Sequence, residues 1–78
     1  MDPTSLVTPN LVKYCEQFNT IVVCGYTKTG KYPIAKKLAN ELNRKLIVSD
    51  DYGIENYEEF VYNVIHNYNQ QIPLIIEG

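Results

Sequence analysis

Three short runs of mostly apolar residues constrain the fold of this chain more than any other feature of its sequence. They lie at residues 21–24 (IVVC), 45–48 (KLIV) and 73–76 (PLII). Continuous runs of β-branched and aliphatic residues are typical of strands that are covered on both faces. One segment of helical length separates each run from the next, and strands joined by single helices form right-handed crossovers in a parallel sheet. The sequence therefore predicts an α/β fold with a three-stranded parallel sheet.

Three segments carry the periodicity of amphipathic helices. Thr8 and Pro9 begin the first segment, as its capping residue and its first helical residue. The second segment has one apolar face, formed by Ile34, Ala35, Leu38, Ala39 and Leu42. The third, near residues 56–70, has the clearest stripe, formed by Tyr57, Phe60, Val61, Val64, Ile65 and Tyr68. We expect Tyr57 and Tyr68 to pack in the core, rather than to form a stacking platform for bases together with Tyr62.

Length and composition exclude several classes of protein. The 78 residues make one small domain, and contents of 45% hydrophobic and 21% charged residues fit an ordinary folded one. A formal net charge of -2 lacks the basic footprint that nucleic-acid binding requires. No apolar stretch approaches the ~20 residues that span a bilayer, and the N-terminus does not read as a secretory signal. We therefore expect a cytoplasmic protein that binds neither nucleic acid nor membrane, with Cys15 and Cys24 both buried and reduced.

The residues between the first predicted strand and the second predicted helix read GYTKTGKYP, at positions 25–33. This is close to the phosphate-binding pattern G-x-x-x-x-G-K-[ST], and it stands in the strand–loop–helix setting that the pattern needs. Gly25 and Gly30 permit the backbone angles with which successive N–H groups form an anion-binding concavity. The following helix directs its positive end at the anion, and Lys31 would reach the β- and γ-phosphates. The alternative is a strand-to-helix turn that binds nothing.

Residues 20–78 resemble the N-terminal part of the P-loop nucleoside and small-molecule kinases, both the adenylate-kinase-like and the uridine-kinase-like P-loop proteins. Residues 21–31 are similar to the first strand and Walker A loop of that family, and IAKKLANEL at 34–42 is similar to its first helix. LIVSDDY at 46–52 is similar to its second strand with an acidic pair, and LIIEG at 74–78 is similar to its third strand with an acidic end.

The resemblance implies a truncated P-loop nucleotide-binding core at residues 20–78, preceded by an extension at 1–19 with a short helix. The implied strand order is 2-3-1, with helices on both faces of the sheet. The implied cofactor is ATP or another nucleoside triphosphate, held by the loop residues Gly25, Tyr26, Thr27, Lys28, Thr29, Gly30, Lys31 and Tyr32.

The same topology gathers the carboxyl ends of the three strands at one rim, where open α/β sheets bind their ligands. The resemblance implies catalytic roles for Lys31, Asp50 and Asp51, and metal binding by Asp50 and Glu77. The residues themselves leave an alternative at each acidic position. Asp50 and Asp51 also read as a turn and helix-capping pair, and Glu77 also reads as a frayed chain end.

Two departures from the family bear on function. Tyr32 stands where the family has a Ser or Thr hydroxyl on Mg²⁺, so we expect phosphate binding without the usual metal ligand. The family's lid and clamping arginines follow the third strand, so we expect phosphoryl transfer only if further chain completes the fold. The alternative function is a non-catalytic module with a degenerate loop, which docks on a protein partner or pairs with itself through the free edge of the first strand.

Overall fold

A computed structural model describes residues 3–25 and 30–78 of the chain. The elements in order are a 3₁₀ helix Pro3–Leu6, α1 Pro9–Cys15, β1 Thr20–Val23, α2 Lys31–Leu42, β2 Lys45–Val48, a 3₁₀ helix Ser49–Asp51, α3 Tyr57–Asn69 and β3 Leu74–Glu77. The alternation of strands and helices is the predicted one. The described part of the chain contains no helix with the length and apolar run that a bilayer crossing needs.

The three strands form one parallel sheet with β3 in the centre, in the order β1-β3-β2. This is the predicted order, so the α/β class and the parallel topology are both confirmed. The register places Ile21, Ile75 and Leu46 in one row across the sheet, and Val22, Ile76 and Ile47 in the next row. Because successive side chains of a strand point to opposite faces, these two rows belong to opposite faces of the sheet.

The first face of the sheet, which carries the Ile75 row, packs against α2 and α1. Its buried core joins Val7, Cys15, Ala35, Leu38, Ala39 and Ile75. The apolar face predicted for the second helix is therefore the one that meets the sheet. The segment expected to be an N-terminal extension contributes Val7 and Cys15 to this same core.

The second face, which carries the Ile76 row, packs against α3. Its buried core joins Ile47, Phe60, Leu74 and Ile76, with Tyr52, Val61 and Val64 partly buried beside it. Helices thus lie on both faces, as expected. Asn67 is also buried on α3, and its side-chain amide donates to the backbone oxygen of Asn63 at 2.6 Å.

Two predictions about burial are wrong. Tyr57 and Tyr68 are 56% and 66% exposed, because α3 buries one edge of the predicted stripe, whereas the two tyrosines lie near its middle. Cys24 is exposed, because β1 ends at Val23 and the next residue has already left the sheet. Cys15 is buried as expected, and both thiols are free.

Side chains fix both ends of α1. The Thr8 hydroxyl accepts from the Leu11 N–H at 3.2 Å, which confirms the predicted cap. Beyond the other end, the Arg44 guanidinium donates to the backbone oxygen of Phe18, and to those of Cys15 and Glu16 at 3.4 Å each. Arg44 follows the C-terminal cap of α2, so its side chain joins α1 to the end of α2.

Candidate functional site

The carboxyl ends of the three strands meet at one rim of the sheet. Val23, Glu77 and Val48 form the last row of the register, and each ends its strand. The Gly78 N–H continues the pairing by donating to the Val23 oxygen at 3.2 Å. A Cβ on Gly78 would lie 2.7 Å from the Ser49 hydroxyl, so the residue after β3 is close to the residue after β2. The topology thus places all three strand ends and the residues that follow them together.

Lys31 places its ammonium group at this rim. It is the first residue of α2, and its Nζ donates to the Gly25 backbone oxygen at 3.0 Å. The same Nζ lies 4.0 Å from Oε1 of Glu77, with side-chain exposures of 18% for Lys31 and 5% for Glu77. The sequence predicted that Lys31 and Glu77 share this rim with Asp50 and Asp51, and the structure places Lys31 beside Glu77.

Glu77 is a buried strand residue, and the alternative of a frayed chain end is wrong. A carboxylate taken out of water needs a charged or hydrogen-bonding partner, and removing one member of a buried pair is costly. Lys31 supplies the opposite charge. The pair therefore has a structural role in addition to any role in binding, and this affects how variants of either residue are interpreted.

Gly30 caps the N-terminus of α2 in the left-handed region, with a φ of 85°. A Cβ at this position would lie 2.8 Å from Cβ of Pro3, so both conformation and space require glycine here. The N–H groups of the first turn of a helix have no partners within the helix and carry its positive end. This positive end lies next to the Lys31 ammonium, at the rim of the sheet.

Asp50 and Asp51 follow the end of β2 closely in the sequence, but they are not part of the Lys31–Glu77 ion pair. Both are exposed in the 3₁₀ helix after β2. The hydrogen bonds and ion pairs found within 3–25 and 30–78 include none from either aspartate to Lys31 or Glu77. Asp50 instead borders a shallow cavity of about 320 Å³, which is lined by Ser49, Asp50, Gly53, Ile54 and Tyr57.

The described side chains offer few ligands for a metal ion. Across the described parts of the chain, no group of three or more His, Cys, Asp or Glu side chains could hold one. Tyr32 carries its phenol oxygen further from the backbone than the family's Ser or Thr carries its hydroxyl, and its ring is exposed, with Nζ of Lys36 6.0 Å from the ring centroid. The residues in 3–25 and 30–78 therefore do not form a protein-held Mg²⁺ site.

The other expected loop residues, Tyr26, Thr27, Lys28 and Thr29, lie outside the described residues. Sequence reasoning missed the contact of Pro3 with Gly30 and the closeness of Ser49 to Gly78. The glycines at positions 30 and 78 were visible in the sequence, but no sequence signal names the residue that packs on a glycine. That residue is set by the tertiary fold.

Comparisons of the chain with models of known protein families, with curated proteins and with solved structures found no match.

Proposed function

We propose that this chain binds the phosphate groups of a nucleotide such as ATP at the rim, between the end of β1 and the start of α2. The observation that carries the proposal is the position of the Lys31 ammonium, which contacts both Gly25 and Glu77 at the carboxyl ends of the strands. Ligands of open α/β sheets bind at these ends, and helix N-termini attract phosphate. The near-match of the loop to the phosphate-binding pattern supports the same conclusion.

Lys31 can contact a phosphate without leaving its present position. An ammonium group has three donors, and the Gly25 oxygen takes one of them. A phosphate oxygen would take another, beside the N–H groups of the first turn of α2, which have no partners within the helix. The negative charge of Glu77 opposes the phosphate, so Glu77 weakens binding while it holds Lys31 in place.

Because the described side chains do not form a metal site, binding is proposed to need no metal ion held by the protein. Phosphoryl transfer is the extension of this proposal that the resemblance implies, with Asp50 or Asp51 beside the acceptor. Their exposure and lack of contact with Lys31 make binding, rather than transfer, the function proposed for this chain.

Isothermal titration with ATP and with pyrophosphate, with EDTA and with Mg²⁺, tests the proposal. Lys31→Ala is expected to weaken binding by about tenfold or more, since a charge-assisted hydrogen bond contributes about 1.5–3 kcal/mol. Lys45→Ala is the matched control, because Lys45 is an exposed lysine in the first row of the sheet, at the opposite end from Lys31.

The Lys31→Ala variant leaves Glu77 buried and unpaired, so a loss of binding needs a check on folding. The double variant Lys31→Ala/Glu77→Gln removes both charges, and it should remain folded by circular dichroism while still binding weakly. Absence of wild-type binding at millimolar ligand, or an equal loss in Lys45→Ala, would contradict the proposal. Tyr32→Thr should make binding more dependent on Mg²⁺, because it restores the hydroxyl of the pattern.

A second candidate function is self-assembly through β1, and one comparison of edge strands favours it. Val22 of β1 is 56% exposed, whereas Ile47, in the same row on the other edge strand, is 4% exposed. Within the described residues β1 pairs with a strand on one side only, and its sequence TIVV has no charge. Exposed uncharged edges of this kind pair readily with other strands.

Light scattering across a concentration series tests this second function. The wild-type chain is expected to dimerise at high concentration, and Val22→Lys should keep it monomeric. Tyr62→Lys, at an exposed position on α3, is the control that should still dimerise. A wild-type chain that stays monomeric at the highest concentration would rule this function out.

A further inference from the structure

The N-terminal 3₁₀ helix Pro3–Leu6 packs against the glycine that precedes Lys31. A Cβ at Gly30 would lie 2.8 Å from Cβ and 3.0 Å from Cγ of Pro3. The proline ring therefore occupies the space beside the Gly30 Cα where any other residue would have its side chain. This contact joins the third residue of the chain to the start of α2.

Two further contacts hold this 3₁₀ helix in place. The Lys37 ammonium donates to the Thr4 backbone oxygen at 3.3 Å, in a partly buried position. The Val7 N–H donates to the same oxygen at 3.1 Å, and the Val7 side chain is buried in the core of the first face. Pro3 is thus fixed from its C-terminal side by α2, through Thr4, and it lies four residues before Val7, which enters the core.

A proline held in this way restricts the backbone that it touches. Pro has a fixed φ and loses no side-chain entropy on ordering, so its ring acts as a rigid contact. Glycine has more backbone freedom than any other residue type. The left-handed conformation of Gly30 sets the direction of the N–H groups at the start of α2. Groups that are held in their binding geometry before the ligand arrives bind it more tightly.

We infer that Pro3 is a positioning residue for the phosphate site, which holds the backbone of Gly30 and Lys31 in the conformation that receives the anion. The inference rests on the proposed function for its effect on affinity. Its structural part, the restriction of Gly30 and Lys31 by Pro3, stands on the contacts alone and is measured without ligand.

The test uses two variants that remove the contact in different ways. Pro3→Gly removes the ring, and Lys37→Met removes the hydrogen bond to Thr4 while keeping most of the aliphatic stem. The matched controls are Leu6→Ala, an exposed residue of the same 3₁₀ helix, and Lys36→Met, which removes the same charge from the neighbouring, exposed position of α2.

The first readout is amide hydrogen exchange in the absence of ligand. Pro3→Gly and Lys37→Met should each speed exchange at the Ile34 amide, which donates to the Gly30 backbone oxygen at 3.4 Å, while the amides of α3 remain unchanged. The second readout is pyrophosphate affinity by titration calorimetry, which should fall by roughly threefold to tenfold in both variants and stay unchanged in both controls.

The two readouts separate the failure of this inference from the failure of the proposed function. Unchanged exchange at the Ile34 amide in Pro3→Gly overturns the inference, whether or not pyrophosphate binds. Faster exchange together with unchanged or tighter pyrophosphate binding also overturns it, because the segment would then not support the site. A wild-type chain that binds no pyrophosphate contradicts the proposed function alone, and the exchange data still decide whether Pro3 positions the backbone.

Discussion

The two faces of the sheet differ in how completely they are covered. On the first face, the row of Ile21, Ile75 and Leu46 packs against α2, and α1 contributes residues to the same core. On the second face α3 is the helix that covers the sheet. In the row of the sheet that faces α3, the exposed fraction of each residue rises from 4% at Ile47 and 8% at Ile76 to 56% at Val22. On this face α3 covers β2 and β3 well and leaves part of β1 exposed.

This difference bears on where a binding site can be held firmly. The helix that covers the first face, α2, is also the helix whose first residue is Lys31. The packing of Ala35, Leu38 and Ala39 against the sheet therefore fixes the position of the ammonium group at the rim. The second face leaves an apolar surface at β1, which suits contact with another chain. The best-packed face thus carries the proposed phosphate site, and the least-covered one carries the surface proposed for assembly.

The largest expected effect comes from the core of the first face. Leu38→Ala should lower the free energy of unfolding by about 2–5 kcal/mol, because the leucine is 3% exposed and leaves a cavity under α2. A domain of this size rarely has a margin above ~3–5 kcal/mol, so much of the variant should be unfolded. Urea unfolding followed by circular dichroism measures the loss. Asn40→Ala, on the exposed side of the same helix, is the control. A loss below about 1 kcal/mol for Leu38→Ala would show that α2 is loosely packed.

One valine on each edge strand allows a direct comparison of how well the two faces of the sheet are covered. Val48 of β2 is buried and lies on the first face, because Ile47 before it belongs to the second. Val48→Thr should cost about 1–3 kcal/mol, since it buries a hydroxyl, whereas Val22→Thr should stay within ~0.5 kcal/mol. Both substitutions keep a β-branched residue, so the difference reports burial alone. Equal losses in the two variants would mean that the second face is covered at β1 after all.

A smaller effect is expected where α1 joins the first face. Arg44→Ala removes the donors to Phe18, Cys15 and Glu16, and should lower stability by about 1–2 kcal/mol. Amide exchange should become faster in α1 and stay unchanged in α3. Lys13→Ala, which removes an exposed charge from α1 itself, serves as the control. Faster exchange in both helices would indicate global unfolding and contradict a local role for Arg44.

The fold could be predicted because its signals are local. Apolar runs set the strands, the Thr8–Pro9 pair set the start of α1, and the alternation of elements set a parallel sheet. Burial was predicted less well, because an apolar stripe on a helix does not report which part of the stripe faces the sheet. On α3 that part centres on Phe60, with Tyr57 and Tyr68 to one side of it, whereas Asn67 is buried with its amide donating to a backbone oxygen of the same helix.

The candidate site also has contacts that the sequence predicts and contacts that only the structure reveals. The Lys31–Glu77 contact follows from strand order and a loop pattern, both of which the sequence carries. The contact of Pro3 with Gly30 joins residues that no pattern connects, so the structure was needed to find it. The exposure of Asp50 and Asp51 depends on the 3₁₀ helix after β2, and an acidic pair after a strand does not specify that turn.

The most direct test of the central claim, that phosphate binds beside Lys31, is a nuclear magnetic resonance titration of the ¹⁵N-labelled chain with ATP. We expect saturable shifts of the Gly30, Lys31 and Tyr32 amides with one dissociation constant, and no change at Lys45 or Leu74 at the opposite end of the sheet. Shifts that do not saturate at millimolar ATP, or shifts of equal size at Lys45, would contradict it.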